Sequence, residues 1–163
     1  MQLRLFIVRH GQYDRDGSPD PPISSTGTKQ ATSAGLVVAR YSEHVSAVYS
    51  SPLSRAVMTS TIISKMVNSP CSILDCLEPE ADPEPFINTL RTSGVSDIVA
   101  VGHLPNLRKL FSILCSPSEP VSFHLDAGGI ACLHILPESE EHLASLGWIM
   151  TSDQAGDFAI RHT

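Results

Sequence analysis

Basic charge is scarce in this sequence. Across 163 residues, 11 lysines and arginines stand against 17 aspartates and glutamates, a formal net charge of −6 with the seven histidines neutral. Such a chain has no electropositive footprint to neutralise a run of phosphates, which argues against nucleic acid as a partner. A local pair of arginines can still set the field of a pocket for a small anion. Long apolar runs are absent as well. The opening Met1-Gln2-Leu3-Arg4-Leu5-Phe6-Ile7-Val8 is too short for a membrane span or a signal-peptide core. No membrane association is expected, and the expected location is cytoplasmic. Cys71, Cys76, Cys115 and Cys132 have no CxxC spacing, which fits unpaired thiols in a reducing compartment. His44, His124, His134, His142 and His162 show no HxxxH or comparable spacing, so no metal site is expected. Neither G-x-G-x-x-G nor a P-loop pattern follows the first apolar run, which discounts a nucleotide-binding domain. Internal repeats and low-complexity tracts are missing too.

What is present suits one folded unit. Apolar residues make up 42% and charged residues 17%, and a chain of this length buries enough surface for a single core without staples. Residues 1–163 are therefore expected to form one domain. Leu3 to Val8 reads as an interior parallel strand with polar residues at its tip. An irregular loop from Gln12 to Pro22 follows, then a helix capped by Ser24 and running to about Tyr41. Val45 to Tyr49 is a strand, and a helix begins after Ser50-Ser51-Pro52 with proline and Arg55 in its first turn. Asn68-Ser69-Pro70 ends that helix, and a short strand lies near Ser72 to Leu74. After an acidic, proline-rich loop, Phe86 to Arg91 is a short helix ended by Ser93-Gly94. Asp97 to Val101 is another buried strand, Leu104 to Leu114 a helix, and Ser116 to Pro120 a linker. Val121 to Leu125, Gly129 to Leu136 and Gly147 to Met150 read as strands, one of them antiparallel at an edge. Strands alternating with helices imply an α/β fold, a three-layer α/β/α sandwich on a mostly parallel sheet.

In such sheets ligands bind beyond the strand C-termini. Arg9-His10, Ser50 to Arg55 and Gly102-His103 all stand at or just after strand ends, so they converge on one crevice if those strands are neighbours. A phosphoryl group carries charge on three oxygens, and its transfer depends on positioning and on stabilising those oxygens. Arg9 and Arg55 supply the donor forks for that task. Two guanidinium groups beside His10 would hold its imidazole neutral and able to attack, with a backbone carbonyl near Gly11 or in the following loop setting the tautomer. His103 would donate to a phosphate oxygen. Gly11 would let the chain approach the phosphate, and the start of the helix after Ser51 could add backbone donors. Singly, each feature has a plainer explanation: a strand-end turn, a capping histidine, an arginine lying over apolar surface. It is their recurrence at three strand tips that favours chemistry.

Those residues also resemble a known family. Val8-Arg9-His10-Gly11-Gln12 resembles the RHG signature of the histidine phosphatase superfamily, the phosphoglycerate mutase-like family. Ser50-Ser51-Pro52-Leu53-Ser54-Arg55-Ala56-Val57-Met58-Thr59 resembles its SP-x-x-R-A-x-x-T segment. Val101-Gly102-His103-Leu104-Pro105 resembles its second-histidine segment, and Ile23 to Ala31 its helix start, with Gly27 and Gln30 in place. These segments run in family order from residue 5 to about residue 110. The short length without an inserted lid is most similar to the SixA-type phosphohistidine phosphatases. By this resemblance the fold is phosphoglycerate mutase-like, His10 is the residue phosphorylated, and Arg9, Arg55 and His103 complete the pocket. The resemblance also implies that no metal or organic cofactor is needed.

One departure concerns the proton donor. Many family members place a catalytic glutamate two residues after a leucine in the loop following the third strand, where this chain reads Leu74-Asp75-Cys76. Glu78, Glu80 and Asp82 are the nearby substitutes, with Glu80 ranked first as the catalytic acid. An imidazole leaving group departs readily once protonated, whereas an alkoxide needs a proton delivered as it leaves. A weak acid therefore favours phosphohistidine on a phosphorylated protein, such as a phosphotransfer domain, as substrate. The alternatives are a phosphatase or mutase acting on small phosphate esters, and a non-catalytic phosphate-binding interaction module.

Overall fold

The computed structural model describes residues 3–92, 96–116, 122–136 and 143–162. Six strands form one sheet: β1 (Arg4–Arg9), β2 (Val45–Ser50), β3 (Cys71–Ile73), β4 (Asp97–Gly102), β5 (Ile130–Ile135) and β6 (Ala144–Met150), in the spatial order β3-β2-β4-β1-β5-β6. Five helices flank it: α1 (Ser25–Tyr41), α2 (Ser54–Val67), α3 (Glu84–Thr92), α4 (Asn106–Cys115) and α5 (Ser152–His162). The alternation along β1 explains the layers. Leu5 and Ile7 point into a core with Phe86, Leu107 and Leu110 from α3 and α4. Phe6 and Val8 point the other way, into a core with Ala34, Val38 and Ile63 from α1 and α2 and Ala155 from α5. Both faces of the strand are therefore apolar, as in a sheet covered on two sides.

The sheet order places the site. β2, β4 and β1 are adjacent and mutually parallel, with Arg9 opposite Gly102 and Ser50 opposite Val101. Three strand tips consequently open on the same edge. At the opposite end, buried Asp97 accepts from the backbone amide of Arg4 at 2.9 Å, from Arg4 Nη2 at 2.6 Å and from Ser42 Oγ at 2.6 Å.

Several boundaries depart from expectation. The antiparallel strand is not at an edge: β5 sits inside the sheet, antiparallel to both β1 and β6. Pro52 lies before α2, whose cap position is Leu53. Residues 122–125 form no strand, although Phe123 and Leu125 are buried alternately. Their carbonyls are taken by arginine side chains, Arg108 Nε on Phe123 at 3.0 Å and Arg9 Nη1 on Leu125 at 3.0 Å, so no ladder partner is required. Position 121, the expected linker from 117 to 120, and the Ser93-Gly94 helix end lie outside the described residues. α5 was not anticipated. It carries few apolar residues and Gly156 in its interior. Its signal is a capping box, with Gln154 N donating to Thr151 Oγ1 at 3.2 Å and Thr151 N to Gln154 Oε1 at 2.9 Å.

Aromatic rings close the seam between β6 and the helices. Trp148 lies 4.8 Å from Tyr41 and 6.2 Å from Phe6 by ring centroids, and Phe158 stacks on Tyr41 at 5.6 Å. No helix among the described residues is long and apolar enough to cross a membrane.

Replacing Asp97 by alanine leaves Arg4 and Ser42 without their shared acceptor, so Asp97→Ala should destabilise the fold by about 3 kcal/mol. Urea unfolding of the variant against the parent measures this, and a midpoint within error of the parent would contradict it.

Candidate active site

His10 directly follows β1, and its backbone amide donates to Gly102 O at the tip of β4. The side chain is buried, and Nδ1 lies 2.8 Å from Gly11 O. A carbonyl only accepts, so Nδ1 carries the hydrogen and Nε2 keeps its lone pair. His103 directly follows β4, is equally buried, and its ring centroid lies 4.8 Å from that of His10. Its Nε2 is 2.8 Å from Ser51 Oγ, in the turn between β2 and α2.

Arg9 and Arg55 complete the group. Arg55 is the second residue of α2, and its guanidinium sits 4.8 Å over the Tyr13 ring, with Nη1 3.7 Å from Asp20 Oδ1. The Tyr13 ring also lies 5.6 Å from His10. Arg9 Nε, Arg55 Nε and His103 Nδ1 are all buried without a hydrogen-bond partner. Buried nitrogens without partners are costly unless an acceptor arrives.

The local sequence explains how the group is held. Thr59 Oγ1 accepts from Gly11 N at 3.0 Å and donates to Arg55 O at 2.8 Å, which ties the loop after β1 to α2. The bare Cα of Gly11 serves contact with α1, since a Cβ there would come within 2.5 Å of Gly27 O. At Gly27 a Cβ would stand 2.1 Å from Gln12 O. Gln30 Oε1 accepts from Gln12 N at 2.8 Å, so the family-like glycine and glutamine of α1 both fasten the same loop. From the other side Gly128, at φ +75°, donates its amide to the carbonyls of Arg9 and His10 at 3.1 and 3.0 Å. Nearby Asp126 accepts from Ser152 N and Oγ at the start of α5.

Arg9, His10, Arg55 and His103 are thus brought together, with Gly11 beside them. Glu80 is exposed, and no hydrogen bond or ion pair joins it to these four. Asp82 instead lies 3.5 Å from Lys109 Nζ, and Glu78 is half-buried. Asn106 Nδ2 holds this loop through Cys76 O at 3.1 Å and Ala81 O at 2.9 Å. The amides expected to be free at the start of α2 are engaged: Ser51 N donates to Val101 O and Ser54 N to the Asp20 carboxylate. Asp20 and Tyr13 were not singled out from sequence. Both lie in an irregular loop whose partners are distant in the chain. Among the described residues no group of three or more His, Cys, Asp or Glu could hold a metal ion.

Burial is the main electrostatic influence on the imidazoles. It lowers the pKa of His10 from its ordinary 6.5 to about 4, helped by Arg55 and Arg9 and opposed by the hydrogen bond to Gly11. His103 is lowered to about 3, first by burial, then by His10, Arg55 and Arg9, with Asp20 opposing. Both are neutral near pH 7, a state that suits one to attack an electrophile and the other to donate a single hydrogen.

The model of the histidine phosphatase superfamily (branch 1) matches residues 5–79. The phosphohistidine phosphatase SixA of Escherichia coli (strain K12) is 26% identical over 132 residues, covering 77% of this chain and 82% of that protein. The broad-specificity phosphatase YOR283W of Saccharomyces cerevisiae is 37% identical over 79 residues, covering 43% of this chain and 34% of its own length. A solved structure of the protein histidine phosphatase SixA complexed with tungstate superposes with a TM-score of 0.79 at 23% identity, covering 92% of this chain and 97% of that one.

The lowered imidazoles give stability a pH signature. An unfolded chain binds protons at its histidines below about pH 6.5, whereas folded His10 and His103 refuse them until about pH 4 and 3. Their contribution is complete above pH 6.5 and is lost as pH falls towards 4. Urea midpoints measured from pH 7.5 to 4.5 should fall more steeply for the parent than for His103→Gln, and parallel curves would contradict the assignment.

Proposed function

We propose that this chain, whose residues 5–79 match the model of the histidine phosphatase superfamily (branch 1), is a phosphatase of that family acting through phosphorylated His10, with phosphohistidine on a protein as its substrate. The observation that carries this reading is that Arg9, Arg55 and His103 each keep a buried nitrogen without a partner, while both arginines are near enough to help hold His10 and His103 neutral. A phosphoryl group supplies the acceptors those nitrogens lack. The relative solved with tungstate, an oxyanion of similar shape, supports the same ligand class.

In the first step His10 Nε2 attacks phosphorus in line with the leaving atom. A new N–P bond forms as the bond to the leaving group breaks, and Gly11 O stabilises the positive charge that develops on the ring through Nδ1–H. Arg9 and Arg55 take up equatorial charge. With Ser51 donating its hydroxyl hydrogen to His103 Nε2, His103 carries its own hydrogen on Nδ1 and offers it to a phosphate oxygen. Water then attacks the phosphorylated His10, the N–P bond breaks, and inorganic phosphate is released with the neutral imidazole restored. Glu80 remains the first candidate for the leaving-group proton, with Glu78 and Asp82 behind it. Phosphohistidine asks least of such an exposed donor, because its imidazole leaves easily once protonated. The SixA relative supports this substrate class. On the same reading residues 1–163 form one cytoplasmic catalytic domain.

A second reading, hydrolysis of small phosphate esters in the same pocket, draws on the higher identity to the yeast broad-specificity phosphatase.

Turnover of a phosphohistidine-bearing protein, compared with a panel of phosphate esters, separates the two. Phosphohistidine turnover should exceed ester turnover, and the reverse order would select the ester reading. His10→Ala should lose about 1000-fold or more in kcat/KM, since the covalent intermediate has no other carrier. Arg55→Ala should lose about 100-fold or more, the scale of removing a transition-state donor. Near-parental activity in His10→Ala would remove the mechanism.

A further inference from the structure

The loop between β1 and α1 contributes a charge that the proposed chemistry does not use. Asp20 is partly exposed, and its carboxylate accepts from Ser54 N at 2.9 and 3.0 Å and from Ser54 Oγ at 2.7 Å. Ser54 is the first residue of α2, so a resident anion already covers the positive end of that helix. The same carboxylate lies 3.7 Å from Arg55 Nη1. Among the described residues it is the only carboxylate paired with either arginine of the pocket.

We propose that Asp20 is a positioning residue that acts through Arg55 as an electrostatic brake on the pocket, weakening anion binding so that the phosphate product leaves. This rests on the phosphate-pocket reading above. An anion drawn to Arg9 and Arg55 meets the Asp20 charge in two ways. It competes with Asp20 for the Arg55 guanidinium, and it is repelled by the carboxylate itself. The hydrogen bonds from Ser54, and after them the attraction of Arg55, hold the Asp20 carboxyl below the usual carboxylate range, so the brake stays charged throughout the neutral range. A phosphatase needs such restraint, because its product carries much the same charge as the group it transfers. Binding that serves substrate and product alike lowers KM without speeding the chemical step. Two arginines left uncompensated would retain phosphate. Asp20 also helps to orient what it restrains, because the Arg55 guanidinium is close to both this carboxylate and the Tyr13 ring.

A capping role alone would leave phosphate affinity untouched, and this separates the two possibilities. Asp20→Asn keeps an acceptor for the Ser54 amide and removes the charge. Titration calorimetry with inorganic phosphate should show about two- to fivefold tighter binding in Asp20→Asn than in the parent, the scale of a partly exposed ion pair. Phosphate should inhibit turnover more strongly in the same proportion. Asp20→Glu should restore the parental affinity. Asp20→Ser, which caps by hydroxyl and carries no charge, should show the same gain and serves where Asp20→Asn folds poorly. If the parent binds phosphate, Arg55→Ala weakens that binding, and neither uncharged variant binds more tightly, the brake is wrong and the phosphate pocket stands. A parent that binds no phosphate overturns both.

Discussion

Two guanidinium groups and two imidazoles are packed into one crevice, where burial away from water penalises any further positive charge and the arginines add their repulsion. His10 and His103 answer this constraint by staying neutral to about pH 4 and 3. The arginines have no such option, since they stay protonated at every relevant pH. Their charge is met locally, by the Leu125 carbonyl for Arg9 and by Asp20 and the Tyr13 ring for Arg55. What is left over, the three unpaired nitrogens, describes the ligand: a small group rich in acceptor oxygens and negative charge.

The sheet makes this crowding possible. Only where parallel strands lie side by side do the residues after their C-termini meet, and β2, β4 and β1 are such neighbours. Thr59, Gly27 and Gln30 then brace the loop after β1 from the helix side, and Gly128 braces it from the sheet side. His10, the proposed nucleophile, therefore stands on backbone fixed from several directions, an arrangement that would keep a reacting atom in line.

Much of this was legible in the amino-acid order, for reasons that differ from element to element. Arg9-His10-Gly11 and Gly102-His103 stood out because buried strands ending in polar residues are unusual, and Ser50 to Thr59 because its spacing repeats a family pattern. The purpose of Thr59, Gly27 and Gln30 was not legible, since each acts on backbone far away in sequence. Tyr13 and Asp20 escaped notice because irregular loops have no periodicity to reveal which side chains turn inward. Phe123 and Leu125 mimicked a strand, because alternate burial looks the same whether carbonyls meet a ladder or an arginine. α5 hid behind a low apolar content, and its capping box at Thr151 and Gln154 was the clue to it.

Trp148 is the sole tryptophan of the chain, and it sits at the seam where β6 meets Tyr41 and Phe6, on the sheet's far margin from β2 and α2. Its intrinsic fluorescence is consequently a reporter of that margin and not of the crevice at the strand tips. Emission changes during denaturation would follow the parting of β6 and α5 from the body of the protein, whereas occupancy of the crevice would pass in silence and call for a probe introduced near Tyr13.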